Sequence, residues 1–334
     1  MTPISSSPSS AGLATSRDFA LCRGITETHG HTYALATKIL DFRQRRAVWA
    51  LYAWARIVDD YVDCTEHSGC RADQVEETVR GLSRCLQETI TAGRLVDSSL
   101  PDVSRPRDLA VISAAAQTFI DFDIAPTLAE DFVVSMLMDV PDSTGHIAHF
   151  NTWEQLEGYM WGSAAVIGLE MMPILGTREG VARAEAEPFA ADLGRAFQLT
   201  NFLRDIAEDL ERGRIYIPLQ EWSAFGVEPD ELYYCAAEKR ATRRVRRALA
   251  FAIARNRAIY RAAEPGIGML ASPGRQAIRA AFVLYSDILT EIERADYNVF
   301  GGRARVGTTR RVSVALPLAA AGLLASFNKQ GPRE

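Results

Sequence analysis

Two segments hold the residues whose types and spacing could do chemistry: Arg56-Ile-Val-Asp59-Asp60-Tyr-Val-Asp63, and Gln198-Leu-Thr-Asn201-Phe-Leu-Arg204-Asp205-Ile-Ala-Glu-Asp209. Each places carboxylates one helical turn apart. Acidic pairs at i,i+4 repel on an isolated helix, at a cost of about 0.2–0.5 kcal/mol per pair. Two such arrangements inside apolar helices therefore call for a counter-ion that the sequence does not supply. Mg²⁺ fits, because it takes octahedral oxygen coordination, keeps several waters, and is held by one or two carboxylates together with substrate phosphates. Two opposed acidic helices could hold a diphosphate through bridging ions, with Asp59, Asp60 and Asp63 on one side and Asn201, Asp205 and Asp209 on the other. Mn²⁺ could take the same place. A single DDxxD also marks solvated helix ends, so the joint occurrence carries the metal reading. The flanks lack the alternating Asp/Asn and central Gly of a calcium loop.

Arginines interleave with the acids. Arg56 reaches Asp59 or Asp60 by helical spacing, and Arg204, Arg212 and Arg214 bracket the second set. Guanidinium recognises phosphate oxygens in bidentate fashion; the alternative is that these arginines neutralise neighbouring carboxylates. Arg45 and Arg46 could do either.

Helices must position these groups. Helical periodicity runs through nearly the whole chain, and no alternating Val/Ile/Thr run makes a sheet, so the expected fold class is all-α. From Arg43 to Asp63, residues Val48, Leu51, Tyr52, Ala55, Val58 and Val62 form one core-facing stripe. This puts Asp59 and Asp63 on one face and Asp60 about 100° around it. In the second segment Gln198, Asn201, Asp205, Glu208 and Asp209 form a polar stripe beside Leu199, Phe202, Leu203, Ile206 and Leu210. Gly213 supplies the stop, and Pro218 prevents early resumption. Further helices are expected over Ala72 to Thr91, Pro106 to Phe122, Leu128 to Leu137, Trp153 to Leu175, Val181 to Gly213, Pro229 to Ala262 and Arg275 to Asp296. The Pro-, Gly-, Ser- and Asp-rich breaks between them are too short for an interdomain linker. The expectation is one helical domain over 18–306, a disordered tail over 1–17, and a tail over 307–334 that packs on the domain or lies against a bilayer.

Composition excludes several classes. The chain has 334 residues, 48% of them apolar and 24% charged, which suits a soluble globular protein with a large core. A net charge of −5 argues against a general nucleic-acid binder. Cys22, Cys64, Cys70, Cys85 and Cys235 form no CxxC pair and no even framework, so a reducing cytoplasm fits. The Ser-, Pro- and Thr-rich start lacks the pattern of a secretory signal. The apolar run Val312 to Phe327 is interrupted by Pro317 and Gly322 and falls short of the roughly 20 residues a span needs. His146 and His149, at i,i+3 without nearby acidic or Cys ligands, read as surface histidines. Lys239 to Arg257 carries eight basic residues. A solvated face is the default there, and such a face could also meet anionic lipid headgroups as a peripheral membrane contact.

The run His29-Gly-His-Thr32-Tyr33-Ala, with Gln44-Arg-Arg-Ala-Val-Trp49-Ala-Leu-Tyr52-Ala and the first acidic segment, resembles squalene and phytoene synthases, the head-to-head isoprenyl diphosphate synthases. The second segment, continuing to Arg214-Ile-Tyr216-Ile-Pro218, resembles that family's second signature. Tyr285-Ser-Asp-Ile-Leu and Tyr297-Asn-Val-Phe300-Gly-Gly-Arg303-Ala-Arg305-Val306 are more similar to bacterial phytoene synthases than to eukaryotic squalene synthases. Tyr159-Met-Trp-Gly-Ser-Ala-Ala165-Val-Ile-Gly168 stands where the family commonly has a Tyr followed by Val-Ala-Gly, and departs from it while keeping small residues.

The resemblance implies an isoprenoid-synthase helical bundle with a central apolar cavity. It implies Mg²⁺-dependent condensation of two geranylgeranyl diphosphates to phytoene, through a cyclopropylcarbinyl diphosphate, in carotenoid biosynthesis. Catalytic roles would fall to the six metal-side residues with Tyr159 and Tyr285. Substrate contacts would fall to His29, Thr32, Tyr33, Arg56, Ala165, Gln198, Arg204, Arg212, Arg214 and Tyr216. Aromatic faces, Tyr33, Tyr159, Phe202 and Tyr285 among them, could stabilise a carbocation, although Phe202 also fits ordinary core packing. No NADPH is expected for this reaction, and downstream carotenoid enzymes are candidate partners. The rivals are a squalene or dehydrosqualene synthase using the fifteen-carbon substrate, a class I terpene cyclase, and a non-catalytic helical interaction protein.

Overall fold

Asp41 accepts a hydrogen bond from the Gln44 N–H at 2.8 Å, which starts the helix carrying the first acidic segment. The computed structural model describes residues 13–29, 37–63, 71–100, 105–141, 143 and 145–329. In order, the elements are α1 (Ser16–His29), α2 (Phe42–Val62), α3 (Ala72–Ala92), α4 (Pro106–Phe122), α5 (Thr127–Leu137) and α6 (Trp153–Met160). A π-helical turn (Trp161–Ala165) then leads into α7 (Val166–Leu175), α8 (Arg183–Arg204), α9 (Ile206–Glu211), α10 (Leu219–Ser223) and α11 (Pro229–Ala237). The chain continues with α12 (Arg243–Met269), α13 (Gly274–Arg294) and α14 (Thr308–Lys329). The described residues form no strand beyond the isolated bridges His149–Ile215 and Thr177–Leu270, so the all-α expectation holds. No described helix is long and apolar enough to cross a membrane.

Several expected boundaries shift for physical reasons. Residues 13–17 are ordered: the Leu13 N–H donates to Gln117 Oε1 at 2.7 Å and α1 begins at Ser16, whereas residues 1–12 lie outside the described set. Helix α1 buries only Phe19, Cys22 and Thr26, too few apolar positions to announce a helix by periodicity. The expected helix over Pro229 to Ala262 splits where Lys239 takes a positive φ of 53° and Thr242 caps a new start. That second helix runs on through Pro265 to Met269, with Arg261 and Pro265 both on the exposed side. Water can therefore satisfy the carbonyl that Pro265 leaves without an N–H partner. The C-terminal segment is helical from Thr308 and is tied to α13 by Arg310, whose Nε donates to Asp287 at 2.8 Å.

Two apolar cores meet along a seam. One is built mainly from α1 to α5 with α7, the other from α6 and α8 to α13. Glycines allow the close crossings beside the seam. A Cβ at Gly162 would lie 2.1 Å from the Asp131 carbonyl oxygen, and one at Gly194 would lie 2.4 Å from that of Ala164. The π turn can approach α5 at Gly162 and α8 at Gly194 so closely only because neither position carries a side chain.

The first core contains one acid without an ion pair to match it. Glu170 on α7 is 1% exposed and its Oε1 finds no hydrogen-bond partner among the described residues. Burial pushes its carboxyl from the ordinary 4.5 to about 8. Between these values the folded chain holds a proton that the unfolded chain has released, so this group's contribution to stability is present below pH 4.5 and is lost as pH rises to about 8. Glu170→Gln is expected to melt higher than the parent at pH 8, with a gain on the order of a few kcal/mol, and the gain should shrink towards pH 5. Thermal unfolding followed by circular dichroism at the two pH values checks this; a gain independent of pH would refute it.

Candidate active site

A chamber of about 850 Å³ opens on the seam between the two cores. Helix α2 contributes Tyr52, Ala55, Arg56 and Asp59, and the end of α8 with α9 contributes Gln198, Asn201, Phe202, Arg204, Asp205 and Asp209. Arg212, Arg214 and Tyr216 follow on the segment after α9. That segment is drawn back across the chamber by backbone pairing: the Ile215 N–H donates to the Ala148 carbonyl at 3.0 Å and the Leu219 N–H to the Phe150 carbonyl at 2.8 Å. The two acidic segments thus face one cavity. Arg212 and Arg214 on the second lie 3.9 and 4.0 Å from Asp63 on the first.

Arginines outnumber carboxylates among the described residues that line this chamber. Arg56 pairs with Asp59 at 2.8 Å and Asp60 at 2.6 Å, and Arg107 adds a second contact to Asp60 at 2.8 Å. Asp205 lies between two guanidiniums, each bidentate: Arg204 at 2.7 and 2.5 Å, and Arg303 at 2.8 Å on both oxygens. Pairing does not offset burial everywhere. Burial, with Asp63 nearby, pushes Asp59 up to about 6, and burial, with Asp205 nearby, pushes Asp209 up to about 8. Such groups fit a divalent cation, which would favour their charged forms. No trio of His, Cys, Asp or Glu among the described residues is grouped to hold a metal ion by itself. A preformed all-protein cage is therefore not the arrangement; the donor set suits Mg²⁺ completed by water and phosphate oxygens.

A second, apolar cavity of about 330 Å³ runs inward between α7, α8, α12 and α13. Leu51, Ile167, Met171, Leu193, Ile267 and Ile278 are among its walls. Tyr52, Ala55, Phe132, Ser163, Gln198 and Asn201 line both cavities and mark the neck between them. A molecule with an anionic head and an apolar tail matches this pair of spaces.

Of the residues singled out from the sequence, His29, Arg56, Asp59, Tyr159, Gln198, Asn201, Arg204, Asp205, Asp209, Arg212, Arg214, Tyr216 and Tyr285 line the first chamber. Thr32 and Tyr33 lie outside the described residues. Asp60 and Asp63 belong to its charged surround, through Arg56, Arg107, Arg212 and Arg214, and are not among its lining. Ala165 departs from expectation. The π turn rotates it onto α8, where its Cα would meet a Cβ at Gly194 at 3.4 Å, and Ala164 faces the apolar cavity in its place. The second acidic segment is also not one unbroken helix: α8 ends at Arg204, and Asp205 (φ −103°, ψ 13°) separates it from α9.

Other site residues went unrecognised in the sequence. Arg303 and Arg305 lay in the Tyr297–Val306 run that carried the family resemblance and both line the chamber, yet distance along the chain hid the approach of Arg303 to Asp205. Arg311 lines the chamber from α14. Asp139, buried beside Tyr159 and Tyr216, had no periodic or motif signal at all.

Comparison with known proteins gives the family. The profile of the squalene/phytoene synthase family matches residues 26–311. A phytoene synthase of Arthrospira platensis is 32% identical, over 96% of this chain and 98% of the relative. A 15-cis-phytoene synthase of Synechocystis is also 32% identical, over 94% and 88%. Among solved structures, a dehydrosqualene synthase bound to a ligand superposes with a TM-score of 0.73 at 24% identity, covering 91% of this chain and 96% of the other. A squalene synthase of Alicyclobacillus acidocaldarius gives 0.66 at 24% identity, covering 84% and 95%. These structures share the fold. With a family match across most of its length and relatives above 30% identity, the chain belongs to the squalene/phytoene synthase family of prenyl-transferring enzymes.

Proposed function

We propose that this enzyme condenses two geranylgeranyl diphosphates head to head into phytoene, with Mg²⁺ as its cofactor. The observation that carries the reading is the junction of an arginine- and carboxylate-lined chamber with an apolar cavity through a shared neck. The cyanobacterial relatives named phytoene synthase support the twenty-carbon substrate over the fifteen-carbon one.

In this reading Asp59, Asn201, Asp205 and Asp209, with Asp60 and Asp63 behind them, would hold Mg²⁺. When bound, the ion supplies charge stabilisation to the departing diphosphate, several kcal/mol in general. Arg56, Arg204, Arg212, Arg214 and Arg303 bind and orient the diphosphate oxygens as their carboxylate partners turn to the cation. The neck residues hold the reacting carbons between head and tail. The first C1–O bond breaks with its electron pair leaving on diphosphate. C1 then alkylates the C2–C3 double bond of the second molecule, and loss of a proton closes a cyclopropylcarbinyl diphosphate. Departure of the second diphosphate, rearrangement and loss of a second proton give phytoene. Apolar walls exclude water from the cations, and the faces of Tyr159 and Tyr285 stand beside them.

A further reading concerns the surface. On α12 the exposed Arg243, Arg244, Arg247 and Phe251 form a basic face with an aromatic residue at its edge, chemistry suited to anionic headgroups and to release of a very apolar product.

Three outcomes test these proposals. Purified enzyme incubated with Mg²⁺ and twenty-carbon diphosphate is expected to yield a forty-carbon hydrocarbon by mass analysis. A thirty-carbon hydrocarbon formed only from the fifteen-carbon diphosphate would transfer the assignment to squalene or dehydrosqualene synthesis, and a cyclic monomeric product would end it. Asp59→Asn and Asp205→Asn are each expected to keep the helical circular dichroism spectrum while lowering Mg²⁺-dependent turnover by about 10²–10³-fold, the scale of lost transition-state charge stabilisation; parental turnover would remove their ligand role. Flotation with acidic liposomes should show binding that weakens with added salt, and absence of binding at low salt would dispose of the membrane contact.

A further inference from the structure

One buried acid in the chamber belongs to neither acidic segment. Asp139 stands just beyond α5 and is 3% exposed. Its N–H closes the helix end onto the Met136 carbonyl at 3.1 Å, and its own carbonyl accepts from Arg214 Nη2 at 3.0 Å. Its two carboxylate oxygens are divided between two phenols: Tyr159 donates to Oδ2 at 2.5 Å, and Tyr216 donates to Oδ1 at 3.1 Å. The tyrosines arrive from separate elements, α6 and the segment after α9, and Asp139 ties them together.

The rings so tied form one wall. Tyr159 and Tyr216 have centroids 5.6 Å apart, Tyr216 stacks on Phe202 at 4.0 Å with a 10° interplanar angle, and Phe202 lies 6.1 Å from Tyr159. All three line the chamber. A phenol here has a rival acceptor, because a diphosphate in the same chamber would draw an uncommitted hydroxyl and turn the ring edge-on. An anionic acceptor held by the fold prevents this, since hydrogen bonds to a carboxylate are the stronger kind.

We propose that Asp139 is a positioning residue of the reaction: by fixing the hydroxyls of Tyr159 and Tyr216 it sets their ring faces as the aromatic wall beside the developing carbocation. The inference rests on the function proposed above. Asp139 acts through the tyrosines, whose hydroxyls take both of its carboxylate oxygens, and it stands outside the two acidic segments.

A double-mutant cycle tests it. Asp139→Ala and Tyr159→Phe should each lower kcat with the allylic diphosphate by about 10- to 100-fold, the scale of a misplacement near 1 Å. The double variant should be no slower than the slower single, because both remove the same interaction. Calorimetric binding of inorganic pyrophosphate with Mg²⁺ should stay within about twofold of the parent for Asp139→Ala while falling for Asp59→Asn. Prenyl alcohol, formed by water capture of an unguided cation, should rise as a share of product. Asp139→Asn, which keeps the volume and one acceptor, carries the same measurements if the alanine variant does not fold. Parental kcat in the Asp139 variants, effects that multiply in the double variant, or a loss of pyrophosphate binding equal to that of Asp59→Asn would each overturn the proposal. A parent enzyme that forms no condensed hydrocarbon would instead defeat the proposed function.

Discussion

Negative charge gathered at a seam between two apolar cores is the constraint on which the rest of this structure depends. Carboxylates removed from bulk water repel one another strongly, because the medium between them screens poorly. Two remedies stand side by side here. Guanidiniums answer Asp60 and Asp205 directly. Asp59 and Asp209 are left with carboxyls pushed upward by burial and by neighbouring acids. The uneven distribution matters: Asp205 holds the guanidiniums that would turn to a phosphate, whereas the acids held above their ordinary range are better satisfied when a cation and its phosphate ligand arrive.

The scaffold serves this seam through contacts that have no chemistry of their own. Gly162 admits the π turn to α5 and Gly194 admits it to α8, with Tyr159 lining the chamber and Ala164 the apolar cavity. Behind α8, buried Asn256 donates to the Ala196 carbonyl at 3.1 Å and to Thr200 Oγ1 at 2.9 Å, while Thr200 shares a 2.8 Å hydrogen bond with Tyr260. A helix held on its back by these buried hydrogen bonds keeps its rotation, and rotation decides whether Asn201 and Gln198 meet the cavity. The π turn does similar work by adding a residue within a helix, a device common where a side chain must be re-aimed.

Sequence carried the helices and the paired acids because both depend on short-range spacing. Asp41 and Thr152 cap helices whose starts the spacing placed near Arg43 and at Trp153, whereas the start capped by Thr242 fell inside a helix expected to run unbroken from Pro229 to Ala262. What it could not carry was the geometry set by distant partners. Nothing between Gln198 and Asp209 resembles a breaker, yet the helix parts at Asp205, whose carboxylate is gripped by an arginine 98 positions away. Asp60 shares its helix with Asp59, and only the position of Arg107 on another helix shows that it faces the rim. Ala165 was expected at the substrate from the family resemblance of its run, and the π-helical turn there packs it on α8 instead. Asp139 was silent for the same reason: its meaning lies in two phenols that only the fold brings to it.

The division into two cavities also orders the proposed chemistry. An allylic cation must form next to the diphosphate that leaves it, yet survive only where water and basic oxygens are scarce. A single polar site would quench it, and a single apolar one would not ionise the bond. The neck formed by Tyr52, Ala55, Phe132, Ser163, Gln198 and Asn201 satisfies both demands, because it borders the arginines on one side and aliphatic walls on the other. Charge separation at that neck would leave the anion among the chamber's cationic groups and the cation against ring faces and apolar walls. The same separation explains why the arginine supply comes from so many places along the chain. Diphosphate leaves twice in the course of the reaction, and a surround drawn from α2, α8, the segment after α9 and the approach to α14 can meet it from several directions without any one helix bearing a run of repelling like charges.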